Sequence, residues 1–346
     1  MPQKVLVTGG CGYIGSHIVY KLSERGYEVI VLDNLSTGFR DSLLGNELLV
    51  EMDLADRASL DQLFSSIKFD AVIHLAASIV VPESVADPIG YYENNTKNTI
   101  NLLKTCNKYG VNRFIFSSTA AVYGQGLNHN CHEDSPLNPI NPYARSKLMS
   151  EWILQDLSAA SDLKFVIMRY FNVAGADSKG RLGQRSQSST HLIKVICETL
   201  LGKRSRIVVF GNDYDTPDGT CIRDYIHVED LALAHLDAFE HLMENGDSDI
   251  FNCGYGTGYS VKDVIGTTER VFGRKLPVEM GSRRSGDASF VVANPEKIKK
   301  KLGWVPYHNK LEEIILSSYD WEKRLNEILG QPLLSYDAPC LFHEIS

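Results

Sequence analysis

A tyrosine and a lysine four residues apart, Tyr143 and Lys147, are the side chains best placed for chemistry in this 346-residue chain. On a helix, positions i and i+4 share a face, so both groups reach one site. An ammonium beside a phenol favours the phenolate and draws the tyrosine pKa down from about 10 toward neutrality, which makes a general base. The spacing alone carries little, because Tyr319 and Lys323 repeat it on the last amphipathic segment. No strand and loop precede that second pair, and it reads as structural. Tyr143 instead opens a helix after an apolar strand that ends in Ser117-Ser118-Thr119. Hydroxyls there face the carboxyl edge of a parallel sheet, where ligands of such folds bind; backbone capping is the structural alternative.

A second constellation lies at the start of the chain. Val5-Leu6-Val7-Thr8 runs into Gly9, Gly12 and Gly15, with Tyr13 and Ile14 opening a helix. Glycines of this kind permit the tight turn, let backbone approach a pyrophosphate and pack helix against sheet. The helix N-terminus then offers unpaired N–H groups and the positive end of its dipole to phosphates. Asp33 ends the next strand and would accept hydrogen bonds from both ribose hydroxyls while repelling a 2′-phosphate. Asn34 and Leu35 follow with no adjacent arginine, so NAD(H) is favoured over NADP(H). Asp53, after the third strand, is a candidate adenine-side contact.

Positioning these residues requires a regular frame, and the first half of the chain has one. Val5–Val7, Val29–Leu32, Leu48–Val50, Ala71–Ile73, Phe114–Phe116 and Phe165–Met168 are short apolar runs, each read as a strand buried on both faces of a parallel sheet. Helical stripes lie between most of them: Ile14, Ile18, Val19 and Leu22, closed by Gly26; Leu60, Leu63, Phe64 and Ile67; Ile100, Leu102, Leu103 and Cys106; and a segment from Pro142 through Leu148, Trp152, Ile153 and Leu157. The alternation predicts an α/β fold with a doubly wound, Rossmann-like parallel sheet. Its NAD-binding domain spans 1–175, and a smaller C-terminal substrate-binding domain spans 176–346. Residues 220–240 are expected to return to the sheet, with Ile222–Val228 as a strand. Gly, Ser and Gln cluster at 175–189, which predicts a mobile loop. Helices are expected near 192–201, 231–243 and 311–329 and a strand at 207–210, and the tail after Pro332 shows no period.

Composition narrows the function classes. A net charge of −8 argues against non-specific nucleic-acid binding, and 43% hydrophobic with 23% charged residues excludes wholesale disorder. The seven cysteines are scattered, with no C-x-x-C pair, so neither a disulfide framework nor a zinc site is expected, and a reducing compartment is. No apolar run is long enough to span a membrane, and no signal-peptide core follows Met1. A soluble cytoplasmic protein is the expectation.

Longer motifs carry a resemblance. T-G-G-x-G-Y-I-G-S-H, the Ser117-Ser118-Thr119 run before Val122-Tyr123-Gly124, and Tyr143-x-x-x-Lys147 resemble the extended short-chain dehydrogenase/reductase superfamily. Arg169–Ala176, Phe210–Tyr214 and Asp218–Val228 resemble, more narrowly, its UDP-glucose 4-epimerase family, and the likeness covers roughly residues 3–325. It implies an NAD-dependent isomerase of nucleotide-sugar and galactose metabolism. Tyr143 would take the proton of the sugar C4 hydroxyl, Thr119 would share that hydrogen bond, and Lys147 would tune Tyr143 and hold the nicotinamide ribose. Hydride would pass to tightly held NAD⁺ and return to the other face once the 4-keto sugar has turned over. The implied cofactor contacts are Gly9, Gly12, Tyr13, Ile14, Gly15, Asp33, Asn34, Leu35, Ser36, Asp53, Leu54, Leu75, Ala76, Ala77, Asn95, Ser117, Tyr143, Lys147 and Tyr170. On the substrate side, Arg223 and Arg284 match pyrophosphate-binding arginines, and Asn172, Leu192, Phe210, Tyr225 and Asp287 match nucleotide-sugar contacts alongside Thr119 and Tyr143.

Two positions depart from the family pattern. The lysine frequent after the fourth strand is absent near Ile79, so another group must serve there. Val291 stands where members carry either a bulky tyrosine or a small residue, and small residues go with acceptance of 2-N-acetyl sugars. UDP-GlcNAc and UDP-GalNAc are therefore expected beside UDP-glucose and UDP-galactose. Among rivals, a 4,6-dehydratase needs an acid just after the threonine, where this chain has Ala120-Ala121. A UDP-pentose or UDP-uronate 4-epimerase and a decarboxylase are harder to separate by sequence, and an NAD-sensing scaffold is the non-enzyme alternative. Helices near 92–109 and 143–158 resemble those that form a two-fold interface in the superfamily, which implies a homodimer.

Overall fold

The computed structural model describes residues 2–45, 47–125, 130–186, 189–284 and 287–330. The tail after Pro332 lies outside them, as do residues 187–188 of the Gly/Ser/Gln-rich segment.

In chain order the first half comprises β1 (Lys4–Thr8), α1 (Tyr13–Glu24), β2 (Glu28–Asp33), β3 (Leu48–Glu51), α2 (Arg57–Ser66), β4 (Ala71–His74), α3 (Val81–Ala86), α4 (Pro88–Tyr91), α5 (Asn98–Tyr109), β5 (Arg113–Thr119), α6 (Pro142–Ala159) and β6 (Lys164–Tyr170). A π-helical turn, Tyr92–Lys97, joins α4 to α5. There follow β7 (Asn172–Ala174), α7 (Leu192–Leu200), β8 (Ile207–Phe210), β9 (Ile222–His227), α8 (Val228–Met243), β10 (Asp249–Cys253), β11 (Gly258–Ser260), α9 (Val261–Phe272), β12 (Val278–Gly281), β13 (Phe290–Val291), α10 (Glu296–Leu302) and α11 (Leu311–Ile328).

Among the described residues, seven strands form one sheet in the order β10-β6-β5-β4-β1-β2-β3, every pair parallel. Alternation along each strand feeds two cores. Val5, Val7, Val31, Ile73, Ile115 and Val166 meet α1 and α8 on one face. Leu6, Ile30, Val72, Phe114, Phe116 and Ile167 meet α2, α5 and α6 on the other. This is the doubly wound sheet expected from the sequence, and Gly26 ends α1 at φ +85° as its position suggested.

Two strands differ from expectation. β3 is the sheet edge and is covered only in part: Leu49 and Val50 are half-buried against opposite cores, while Leu48 is 54% exposed. Ile222–Val228 does not return to the main sheet. β9 instead centres a second sheet, antiparallel to β11 and parallel to β13 and β7. The reason lies in Asp224, a fully buried carboxylate. It accepts the backbone N–H groups of Tyr255 (2.9 Å), Gly256 (2.8 Å) and Ala293 (3.2 Å). The loops around the second sheet supply those donors, and an apolar sheet interior would not. The chain re-enters the main sheet one element later, through β10 beside β6. A third apolar cluster, Ile193, Ile196, Leu200, Val209, Val264, Ile314 and Ile315, ties α7, α9 and α11 together around β8.

Candidate active site

The glycine loop is packed backbone against backbone. A methyl group on Gly9 would lie 2.7 Å from the Ala76 nitrogen, and one on Gly15 would lie 2.1 Å from the Gly9 carbonyl oxygen. Gly12 is the N-cap of α1 and contributes no side-chain cap, so the first-turn amides at Tyr13 and Ile14 keep their capacity to bind an anion. Asp33 sits beside them, 7% exposed, accepting the N–H of Cys11 and of Leu35, each at 2.9 Å. Leu35 holds a left-handed φ of +56° to reach it, a conformation that disfavours side chains with a Cβ and persists where the surroundings demand it. Asn34 donates to Asp53 at 2.7 Å, and the Asn34 side chain accepts the Ser36 N–H at 3.1 Å. Leu54 is buried, while Leu75, Ala76 and Ala77 leave the carboxyl end of β4 half-buried.

Asn95 serves as a brace. Its amide oxygen accepts the Ser78 N–H at 2.8 Å, and its nitrogen donates to the Ser78 carbonyl and to Ser146 Oγ, both at 3.0 Å. Ser146 donates to the Tyr143 carbonyl at 2.7 Å, so the turn after β4, where the family lysine is missing, is tied to α6. Ile79 there is 54% exposed.

Local sequence explains why α6 starts where it does. Asn141 caps it by accepting the Ala144 N–H at 2.9 Å, and Pro142 occupies the first turn. Tyr143 and Lys147 then lie on one face, 7% and 2% exposed. Thr119 lies close enough to the Tyr143 hydroxyl to favour its phenolate. Lys147 donates to the Ser117 carbonyl at 2.8 Å and lies 4.9 Å from the Phe116 ring centre. The three hydroxyls of the 117–119 run divide their roles: Ser117 pairs with His235 at 3.3 Å, Ser118 donates to Glu151, and Thr119 both meets Tyr143 and accepts the Ala121 N–H at 3.1 Å. Capping and site-facing readings of that run are therefore both realised.

Burial works against charge at this pair. The Tyr143 phenol stands above its ordinary range because it is desolvated, an effect the Thr119 hydroxyl only reduces. Desolvation brings Lys147 down to about 7, opposed by the nearby Glu151 carboxylate. The sequence reading has the ammonium drawing the Tyr143 pKa down; in this structure withdrawal from water is the larger influence and the phenol stands above its ordinary range. Behind the pair lies a network that sequence reading missed. Arg169 binds Glu151 in a buried fork, with Nη2 at 2.7 Å and Nε at 3.1 Å. Arg169 also donates to Tyr123 Oη and to the Glu133 carbonyl, both at 3.0 Å. Removing one member would leave an uncompensated buried charge, costing about 3–5 kcal/mol.

The substrate-side candidates gather on the second sheet. Asn172 is in register with Tyr225 and Val291 with Arg223, while Arg223 and Tyr225 alternate onto one face of β9. Tyr170 faces Thr119 across β5 and β6, and only Phe171 separates it from Asn172. Arg223 donates to the carbonyls of Ile222 (2.9 Å) and Ala288 (2.6 Å), which fixes the guanidinium and leaves further N–H groups for an anion. Arg284 stacks 3.6 Å from the Phe210 ring centre, and Asp287 turns back on its carbonyl. Leu192, at the start of α7, lines a cleft with Asn172, Tyr225, Ser318 and Trp321; the last two belong to α11, which sequence reading left out of the site. Val291 packs with Ala120, Tyr123, Leu148 and Phe171. Tyr319 lies in the α7–α9–α11 cluster against Phe272, 4.6 Å between ring centres, with Lys323 exposed, as expected for a structural pair.

His227, Glu229 and His308 bring three potential metal-ligand atoms within 4.8 Å of one another. The Glu229 N–H donates to His227 Nδ1, and His227 Nε2 meets Ser317 Oγ at 3.1 Å, so both His227 nitrogens are engaged in holding α8 to α11.

The model of the NAD dependent epimerase/dehydratase family matches residues 5–254. The chain is 50% identical to the UDP-glucose 4-epimerase of Azospirillum brasilense over 328 residues, covering 95% of this chain and 94% of that one. Its structure is similar to that of the Brucella ovis UDP-glucose 4-epimerase in complex with NAD, with a TM-score of 0.88, 43% identity and coverage of 92% and 98%. It is also similar to the UDP-Glc/GlcNAc 4-epimerase of Campylobacter jejuni, with a TM-score of 0.81, 49% identity and coverage of 93% and 99%.

Proposed function

The chain belongs to the NAD dependent epimerase/dehydratase family, and from that premise we infer that it is the isomerase that inverts C4 of a UDP-hexose, interconverting UDP-glucose and UDP-galactose with resident NAD. The observation that carries this reading is the placing of Tyr143 and Lys147, both buried on one face of α6, beside Thr119 at the end of β5, at the sheet edge where the glycine loop also opens. The residues fit a dinucleotide. The loop has no room for a Cβ at Gly9 or Gly15, the first turn of α1 has no side-chain cap, and Asp33 retains lone pairs beyond the two amides it accepts.

Tyr143, as phenolate, takes the proton of the C4 hydroxyl, and Thr119 shares that hydrogen bond. Lys147 supports the phenolate and donates to the ribose of the cofactor. The nicotinamide, when bound, supplies the positive potential that favours the phenolate and the two-electron reservoir that makes and unmakes a C4 ketone. Arg223 and Arg284 hold the diphosphate, with Asn172, Leu192, Phe210, Tyr225 and Asp287 around the nucleotide sugar. The sugar is left free to present its other face, and Tyr143 then returns the proton, so the substrate undergoes no net redox change. Unit boundaries follow the same logic: residues 1–175 with α8 and β10 bind the cofactor, and most of the remainder to residue 330 caps the sugar.

Val291 extends the reading to UDP-GlcNAc and UDP-GalNAc. Its side chain, smaller than a tyrosine, lies in one cluster with Ala120 and Leu148. The test is a substrate panel on purified protein, with mass spectrometry of retained cofactor. Conversion of UDP-galactose together with retained NAD supports the assignment, and an inactive protein overturns it. Val291→Tyr is expected to keep the plain hexoses within a few-fold and to lose the N-acetyl pair. A wild type inert toward UDP-GlcNAc refutes the wider specificity. Met149 and Trp152, exposed three residues apart on α6, support a homodimer through α5 and α6, which light scattering would test. Among the described residues no helix is long and apolar enough to cross a membrane, and a cytoplasmic location fits the reading.

A further inference from the structure

We propose that residues 175–185 form a latch, closed by Arg185, that ties the capping unit across the dinucleotide-binding helix and slows release of bound NAD. The inference rests on the assignment of the cofactor site above.

The segment leaves β7 and follows α1. The Gly175 carbonyl accepts the Tyr13 hydroxyl at 2.6 Å, at the first residue of the helix. Two turns on, Arg181 donates to the Tyr20 hydroxyl at 2.7 Å and stacks 4.3 Å from that ring centre. Its guanidinium is held by a two-bond fork to Asp177, at 2.9 and 2.5 Å. On the capping side the segment is anchored to α7 and α11. The Gln184 carbonyl accepts Trp321 Nε1 at 3.0 Å and Lys194 Nζ at 3.3 Å, and Gly183 lies so close to the Trp321 indole that a methyl there would sit 2.4 Å from it. The segment expected from composition to be a mobile loop is therefore fastened on both sides over these residues.

Arg185 then crosses to the cofactor side. It pairs with Asp41 at 2.5 Å and stacks 4.1 Å from the Phe39 ring centre. Its side chain is 15% exposed although Asp41 is 66% exposed, so the guanidinium is covered rather than loose on the surface. Phe39 belongs to the turn that wraps the ribose acid: its N–H donates to the Cys11 carbonyl at 3.0 Å, and the space a methyl on Gly38 would occupy is filled by Cys11 and the Asp33 carboxylate. An adenosine lying between the glycine loop and Asp33 leaves only when this turn moves off Cys11 or the 175–185 segment lifts. Arg185 joins the two, so either motion breaks its contacts. The proposed reaction hands its electrons back within each turnover, so the cofactor need not exchange, and a contact that slows exchange does not slow the cycle.

Full-length protein loaded with labelled NAD⁺ and chased with excess unlabelled NAD⁺ tests this. Arg185→Ala is expected to speed loss of label by about tenfold, as for loss of one ion pair and one cation–ring contact, and Asp41→Ala by about two- to fivefold, because the contact with Phe39 survives. Arg206→Ala, which removes the exposed pair with Glu279 on the far β8–β12 ribbon, should leave the release rate unchanged. Thermal melts of the unloaded proteins check that every variant folds. Faster release from the two latch variants with unchanged melting supports the latch. Release at the wild-type rate from Arg185→Ala overturns it while leaving the cofactor assignment standing. A wild type that retains no label overturns the cofactor assignment and the latch with it.

Discussion

The cofactor side and the substrate side of the site are anchored by different means. Gly9, Asp33, Thr119 and Tyr170 stand at or just beyond the carboxyl ends of β1, β2, β5 and β6, four strands of one buried parallel sheet. None of them can shift without disturbing several ladder bonds and two hydrophobic cores. Asn172, Arg223, Tyr225 and Val291 ride instead on strands of two to six residues. There a few polar contacts set position, such as Arg223 on the Ala288 carbonyl and Asp224 on three amides. On the proposed assignment chemistry sits on the rigid half and recognition on the adjustable half, so variants of the two halves should separate in kinetics.

The largest expected effect is on the rigid side. Tyr143→Phe removes the proton-accepting oxygen but keeps the ring that packs against α6 and Thr119, so kcat should fall by about 10²–10⁴-fold with little change in melting temperature. Retained NAD should be undiminished, which separates loss of the base from loss of the cofactor. Should Tyr143→Phe turn over at the wild-type rate, the contrast between the halves collapses at its strongest point.

Arg223→Leu tests the other side. It removes a charged donor fixed by backbone carbonyls while keeping an apolar stem on β9. A hydrogen bond to a charged group is worth about 1.5–3 kcal/mol, so kcat/KM should drop by roughly 10- to 150-fold, carried mainly by KM. A fall confined to kcat would mean that Arg223 acts on the reacting centre, and the division of labour drawn above would need redrawing.

The same contrast governed what sequence reading could reach. Strands of a doubly wound sheet announce themselves as apolar runs, and every element that supports Gly9, Asp33, Thr119 and Tyr143 was legible from period alone. β3 was misread because a run of three apolar residues does not reveal whether the strand is an edge. The second sheet was harder. β9 carries Arg, Asp, Tyr and His, and what places it is the desolvation of Asp224, a long-range matter of which loops bring donors. β10, the true return to the main sheet, interrupts its apolar run with Asn252, which donates to the Cys131 carbonyl at 2.8 Å. The Glu151–Arg169 fork joins residues 18 apart on different elements, and no spacing rule signals it. Arg223 and Arg284 were singled out only because long motifs resemble a known family; their own spacing says nothing.

The smallest expected effect probes the seam between the halves and follows from burial of neutral imidazoles. His74 and His235 lie inside the rigid unit, and His17 and His227 lie where α1 and β9 face each other. Desolvation lowers His17 and His235 to about 4, and His74 and His227 to about 3. A lowered folded-state pKa means that the unfolded chain binds more protons between the folded value and about 6.5, so stability is full above that pH and declines as the medium is acidified. From pH 7 to pH 6 each such histidine should remove about 0.7 kcal/mol. Asp224 and Asp237, both raised to about 6 by burial, work in the opposite sense, because their folded forms hold protons the unfolded chain releases. Lys147, brought down to about 7, and His191, lowered by burial, act in the same sense as the four histidines, so denaturant midpoints measured at the two pH values should fall on acidification. His74→Asn removes one contribution from the rigid unit. If instead the acid sensitivity disappears only with His17→Asn or His227→Asn, the seam opens before the sheet does, and the two halves separate in stability as they do in chemistry.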